Sequence, residues 1–174
     1  MVEFISDVVL GYQLNKRLKS FDSQSKKTIH SFKTMAVLFP EELELDRTVF
    51  KALAVSINSS TRKITFVEFG KKKLEERPTN SKNHIFCSRK DVGLTGKFSN
   101  DMQDFFNTKF DLLINYFSIK AVFPELISMN CSASLRLGFS QANHEINDVI
   151  LDIDPSETNL FLNESTNYLN AFLK

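Results

Sequence analysis

The chain has no tryptophan, only five glycines and four prolines, and two cysteines in 174 residues. Each scarcity excludes something. Cys87 and Cys131 cannot make a disulfide framework, which points to a reducing compartment and a fold held by its core. A chain of this length buries roughly 70% of its unfolded surface and needs no staple. The glycines, Gly11, Gly70, Gly93, Gly96 and Gly138, are too scattered to form a phosphate-cradling loop. No apolar run approaches the ~20 residues that span a bilayer, and residues 1–10 lack the basic start of a secretory signal. Three scattered histidines assemble neither a nucleophile–base pair nor, with the two cysteines, a closed metal site. His84 and Cys87 alone have a ligand-like spacing, and neither a metal nor another cofactor is expected.

What is abundant is phenylalanine, at 17 residues, together with a 42% hydrophobic and 25% charged composition. That is globular composition, with a core that Phe rings dominate. Charge balances overall, at 22 basic against 21 acidic residues, but not locally. Lys16, Arg17, Lys19, Lys26 and Lys27 crowd the N-terminal region, Lys71, Lys72 and Lys73 are contiguous, and acids dominate the last third. A basic surface of this kind suits an anionic partner.

Periodicity divides the chain into 1–31, a basic helical arm and linker, and 32–174, one α/β domain. In the arm, helical spacing over Glu3–Phe21 carries two apolar stripes. Phe4, Ile5, Val8 and Val9 form one, and Leu10, Leu14, Leu18 and Phe21 the other. Lys16 and Lys19 oppose the second. The body opens β-α-β. Thr34–Phe39 is a continuous apolar run, Pro40-Glu41-Glu42 resembles a helix start, and Arg62–Phe69 alternates. After a charged loop, His84–Cys87 is a short strand, Asn100 and Gln103 suggest a capping box, and Asp111–Tyr116 is a buried strand. A helix over Ala121–Asn130 follows, then a strand Ser134–Phe139 whose Ser134, Arg136 and Gly138 mark its less buried face. Asp148–Ile153 is expected to return antiparallel beside it. Asp154-Pro155-Ser156-Glu157 reads as the capped start of a last helix packing through Phe161, Tyr168, Leu169 and Phe172. The expected architecture is a three-layer α/β sandwich: a mostly parallel sheet, one antiparallel strand, helices on both faces and the N-terminal arm.

The set Phe110-Asp111-Leu112-Leu113-Ile114-Asn115-Tyr116, Leu135-Arg136-Leu137-Gly138-Phe139, Asn147-Asp148-Val149-Ile150 and Asp152-Ile153-Asp154-Pro155 resembles an uncharacterised family of small cytoplasmic proteins in Bacteroidota. That resemblance implies a cytoplasmic domain and transfers no catalytic residue. Two functional readings remain. The favoured one is a non-enzymatic binding protein that contacts RNA, the ribosome or another anionic assembly through Lys16, Arg17, Lys19, Lys26 and Lys27, with Lys71, Lys72 and Lys73 as further cations. The competing one is a divergent small-molecule or sugar-nucleotide enzyme, with a ligand pocket at the strand ends formed by Asn115, Tyr116 and Asp152.

Overall fold

A computed structural model describes residues 2–21, 29–57, 63–72, 79–93 and 95–173. The elements run α1 (Val2–Ser20), β1 (Thr34–Pro40), α2 (Arg47–Ser56), β2 (Lys63–Gly70), β3 (His84–Ser88), α3 (Asn100–Asn107), β4 (Lys109–Asn115), α4 (Val122–Asn130), β5 (Ser132–Phe139), β6 (Val149–Leu151) and α5 (Thr158–Phe172). The strands form one sheet in the order β3-β2-β1-β4-β5-β6, and every pairing is parallel. This is the order of a doubly wound α/β sheet, in which the chain starts at the centre and winds first to one side, then to the other.

A parallel sheet is covered on both faces, and its central strands are therefore apolar throughout. In β1, Met35, Val37 and Phe39 face α2 and α5, and Ala36 and Leu38 face the opposite layer of α1, α3 and α4. The α2/α5 layer is built on aromatic rings. Tyr116 meets Phe161 at 4.9 Å, Phe139 at 5.1 Å and Phe50 at 5.3 Å between centroids, all close to perpendicular. Such edge-to-face pairs add roughly 0.5–1.5 kcal/mol each beyond burial.

Helix α1 lies against α4, with Leu10 and Leu14 buried. Of its two apolar stripes, the Leu10/Leu14/Leu18/Phe21 stripe packs on the core, and Val8 of the other stays exposed. The side chains of Phe4 and Ile5 lie outside the described residues. Ile29, within the expected linker, is buried and bridges to Leu173, and Phe32 is fully buried beside α2 and α5.

Several local expectations are corrected. The expected antiparallel strand is parallel: Leu137, Gly138 and Phe139 pair with Val149, Ile150 and Leu151. Parallel neighbours ordinarily need a long crossover. Here β6 spans only the last three residues of β5, so the connection climbs back only about 7 Å. Asp148 fixes that return, because its carboxylate accepts the Arg136 N–H at 2.7 Å and its own N–H donates to the Arg136 carbonyl at 2.9 Å. Pro40 ends β1 and starts no helix; α2 begins at Arg47, capped by Asp46, which accepts the Thr48 N–H at 2.9 Å. Asn100 and Gln103 form no capping box, since Ser99 holds the N-cap position of α3 and the Gln103 amide donates to the Phe98 carbonyl. Asp154 closes a turn ahead of α5: its carboxylate accepts the Ser156 N–H at 2.8 Å, and the helix starts at Thr158. The buried face of α5 is Phe161, Ser165 and Leu169, at i, i+4 and i+8, whereas Tyr168 and Phe172 are exposed. Arg136 is buried, not on an open face.

Phe161 holds α5 to the ring cluster. Phe161→Ala is expected to cost about 3–5 kcal/mol, read as a lowered midpoint in urea unfolding with an unchanged slope.

Candidate functional site

In a sheet wound this way, ligands bind beyond the carboxyl ends of the strands, where the two halves diverge between β1 and β4. The residues at that place are bound to one another. The Glu41 carboxylate accepts the backbone N–H groups of Lys71 and Lys72, at the end of β2. Successive amides of this kind elsewhere hold an anion. Gly70 makes the approach feasible, because a Cβ there would lie 2.1 Å from Glu41 Cδ. Lys71 is exposed. Lys72 pairs with the buried Glu68, and its ammonium sits 5.7 Å from the Phe86 ring. Glu68 also binds His84 Nε2 at 3.0 Å. Burial, then the nearby Arg47, holds the His84 pKa below its ordinary value, against the opposing pull of Glu68. Cys87 packs into the other layer's core, away from His84. Lys73 lies outside the described residues.

Asn115, Tyr116 and Asp152 do not share a pocket. Tyr116 points into the α2/α5 layer, where its hydroxyl donates to the Pro155 carbonyl at 2.6 Å. It borders a cleft of about 250 Å³ lined by Leu43, Glu44, Asp46, Phe50 and Pro155. Burial, with Asp154 adding a smaller share, pushes the Tyr116 pKa up to about 12. Asn115 is fully buried, and its amide donates to Asn147 Oδ1 at 2.8 Å. Asp152 is at the exposed surface, accepting the Ser140 hydroxyl at 2.6 Å.

The α1/α4 layer contains a polar network that periodicity does not reveal. From Asn115 it runs through Asn147, to the Asn143 carbonyl at 3.2 Å, and from the Asn143 amide to the buried Glu125 at 2.8 Å. Gly138 leaves room for Asn147, since a Cβ would lie 2.4 Å from its amide nitrogen. The Arg136 guanidinium donates to the Cys131 carbonyl at 2.7 Å and lies 4.9 Å from the Phe21 ring. Its burial lowers the Arg136 pKa, and burial pushes the Cys131 thiol up to about 12. Both cysteines are buried and outside any disulfide.

Lys16, Arg17 and Lys19 are exposed in the last turns of α1, with Lys16 and Lys19 opposite the Leu10/Leu14 stripe and Arg17 at its flank. Among the described residues none of them is in an ion pair. Lys19 also lines a cleft of about 630 Å³ between α1 and residues 145–148, together with Asn15, Phe21 and Asp148. Lys26 and Lys27 lie outside the described residues. No group of three or more His, Cys, Asp or Glu among the described residues could hold a metal ion, and no described helix is long and apolar enough to cross a membrane.

A family model matches residues 7–172, from the first half of α1 to the end of α5. The chain belongs to the family of unknown function DUF6913. The match joins the basic helix and the sheet in one unit of similarity, and the family carries no assigned activity. No curated protein and no solved structure matches the chain.

In this family member the buried phenol of Tyr116 has a measurable consequence. A group whose folded pKa is raised contributes stability that is complete below its unfolded value, here 10.0, and that is lost as pH rises through about 12. Absorbance titration is expected to show a tyrosinate phase near pH 12 that disappears in Tyr116→Phe, with stability falling less steeply above pH 10 in that variant.

Proposed function

We propose that this protein is a non-enzymatic, cytoplasmic binding protein that contacts RNA, free or within a ribonucleoprotein such as the ribosome, through the outer face of α1. The observation that carries this reading is the division of labour within that helix. Leu10 and Leu14 anchor it to the core, and Lys16, Arg17 and Lys19 face solvent with no acid paired to them among the described residues. Three cations on a helix held by other residues are pre-positioned for phosphate, and binding then fixes little besides their side chains. Contacts of this type supply affinity and not sequence readout.

At the strand ends, the condition of the carboxylates supports the same reading. Glu41 satisfies backbone amides, Asp154 closes a turn, and Asp152 is tied to Ser140. The competing enzyme reading has one feature in its favour, the cleft beside Tyr116, whose hydroxyl is already engaged by Pro155.

Replacing Lys16, Arg17 and Lys19 together by Glu is expected to reduce several-fold the recovery of RNA cross-linked to the tagged protein in its native cell, with the thermal transition largely unchanged. Cross-linking at the wild-type level in the folded variant overturns the proposal. A screen of nucleotides and sugar nucleotides, with and without divalent cations, is expected to show no turnover. Turnover abolished by Tyr116→Phe would establish the enzyme reading instead.

A further inference from the structure

The amino-terminal edge of the sheet carries a second set of cations, brought together only by strand order. Lys33 immediately precedes β1, Lys63 and Lys109 are the first residues of β2 and β4, and Lys82 lies two residues before β3. Neighbouring positions in the order β3-β2-β1-β4 place these residues side by side along the edge. The registers set them in a staircase: Thr34 is opposite Lys63, Met35 is opposite Leu112, and Phe66 is opposite His84, so each lysine is about one residue from its neighbour in height and the row descends by about three residues, roughly 10 Å, from Lys82 to Lys109. Adjacent strands are about 4.8 Å apart, so the row is roughly 14 Å wide across the strands and roughly 17 Å long on its diagonal at the backbone.

All four lysines are exposed, and among the described residues none is in an ion pair. The acid nearest the middle of the row, Asp111, is engaged by the backbone and a hydroxyl and pairs with no lysine ammonium among the described residues. Asp111 accepts the backbone N–H groups of Lys33 and Thr34 at 2.8 and 2.9 Å and bonds the Thr34 hydroxyl at 3.1 Å. At the β3 side, Lys63 and Lys82 border a cleft of about 490 Å³ that Phe105 and Phe110 also line. Asp101 and Asp104 line the same cleft on the α3 side.

We propose that this lysine row is a binding edge for single-stranded RNA. A line of lysines along one edge matches a line of phosphates, whereas a lipid surface would call for cations spread over a plane. The adjoining cleft gives a bound strand room beside its phosphates, over a floor closed by the buried Phe105 and Phe110, and a cationic track of this kind holds single strands without sequence preference. The choice of RNA as the polyanion rests on the proposed function, but the site does not: it uses no residue of α1.

The two sites are separated by measuring binding of a fluorescent oligouridylate of about 20 nucleotides to the full chain across a series of salt concentrations. Replacing Lys33, Lys63, Lys82 and Lys109 by Gln is expected to weaken binding at least about tenfold at low salt and to reduce the salt slope by about 3, at about 0.7 per lost phosphate contact on a single strand. Replacing Lys16, Arg17 and Lys19 by Gln tests the helix alone. Loss in the row variant with binding retained in the helix variant supports the edge and overturns the helix; the reverse result overturns the edge and keeps the helix. An unchanged slope in the row variant overturns the inference. So does a wild-type chain that binds phosphatidylserine vesicles but not the oligonucleotide. Single Lys→Ala replacements, each expected to remove about 0.7 from the slope, provide the same readout should the fourfold variant not fold.

Discussion

An all-parallel sheet must exclude water from both faces, and the rest of this structure follows from that requirement. Each strand of the central pair, β1 and β4, offers apolar side chains in both directions. On one face α2 and α5 cover them through Phe50 and Phe161. On the other, α3 and α4 are joined by α1, whose Leu10 and Leu14 are as buried as the strand residues beneath them. The basic helix is therefore part of the hydrophobic core, and the positions of its cations are set by the packing of its leucines.

The same requirement governs how charge is distributed. Charges that fall inside the sandwich are matched locally: Glu68 with His84 and Lys72, Glu125 with Asn143, and Arg136 with the Cys131 carbonyl and the Phe21 ring. A buried charge left alone would cost several kcal/mol, so such groups are held by partners. Several acids near the strand ends, Glu41, Asp111 and Asp148, bind backbone amides. The exposed lysines of α1 and of the amino-terminal sheet edge are in no ion pair among the described residues.

The outer strands show how a parallel sheet ends. At β3, the N–H groups of Phe86 and Ser88 are taken by Asn80 and Asp91 side chains at 2.8 and 2.7 Å, and that of His84 by the Ser81 carbonyl. An edge so satisfied offers few donors to another strand, a recognised defence against edge-to-edge association. At the opposite side β6 is only three residues long, which serves the same end.

Local pattern by itself determined the elements: the apolar runs that became β1 and β4, the helical spacing of Leu10 and Leu14, the alternation of β2, and the helix after Asp154. Those signals are periodic over a few residues, and burial reinforces them. Tertiary structure alone decided the direction of β6, because a short polar connection is compatible with either sense and the paired bonds between Arg136 and Asp148 select one. It also decided that Asn115 and Tyr116, adjacent in the chain, point into different layers. Helix starts shifted from Pro40 to Asp46 and from Asp154 to Glu157 because proline and acids suit a turn as well as a cap. Arg136 reads as a surface residue by type, and only the carbonyl and the ring around it explain its burial. The lysine row has no trace in the sequence at all. Lys33, Lys63, Lys82 and Lys109 are scattered through the chain, and they become neighbours because doubly wound topology places the starts of β3, β2, β1 and β4 side by side.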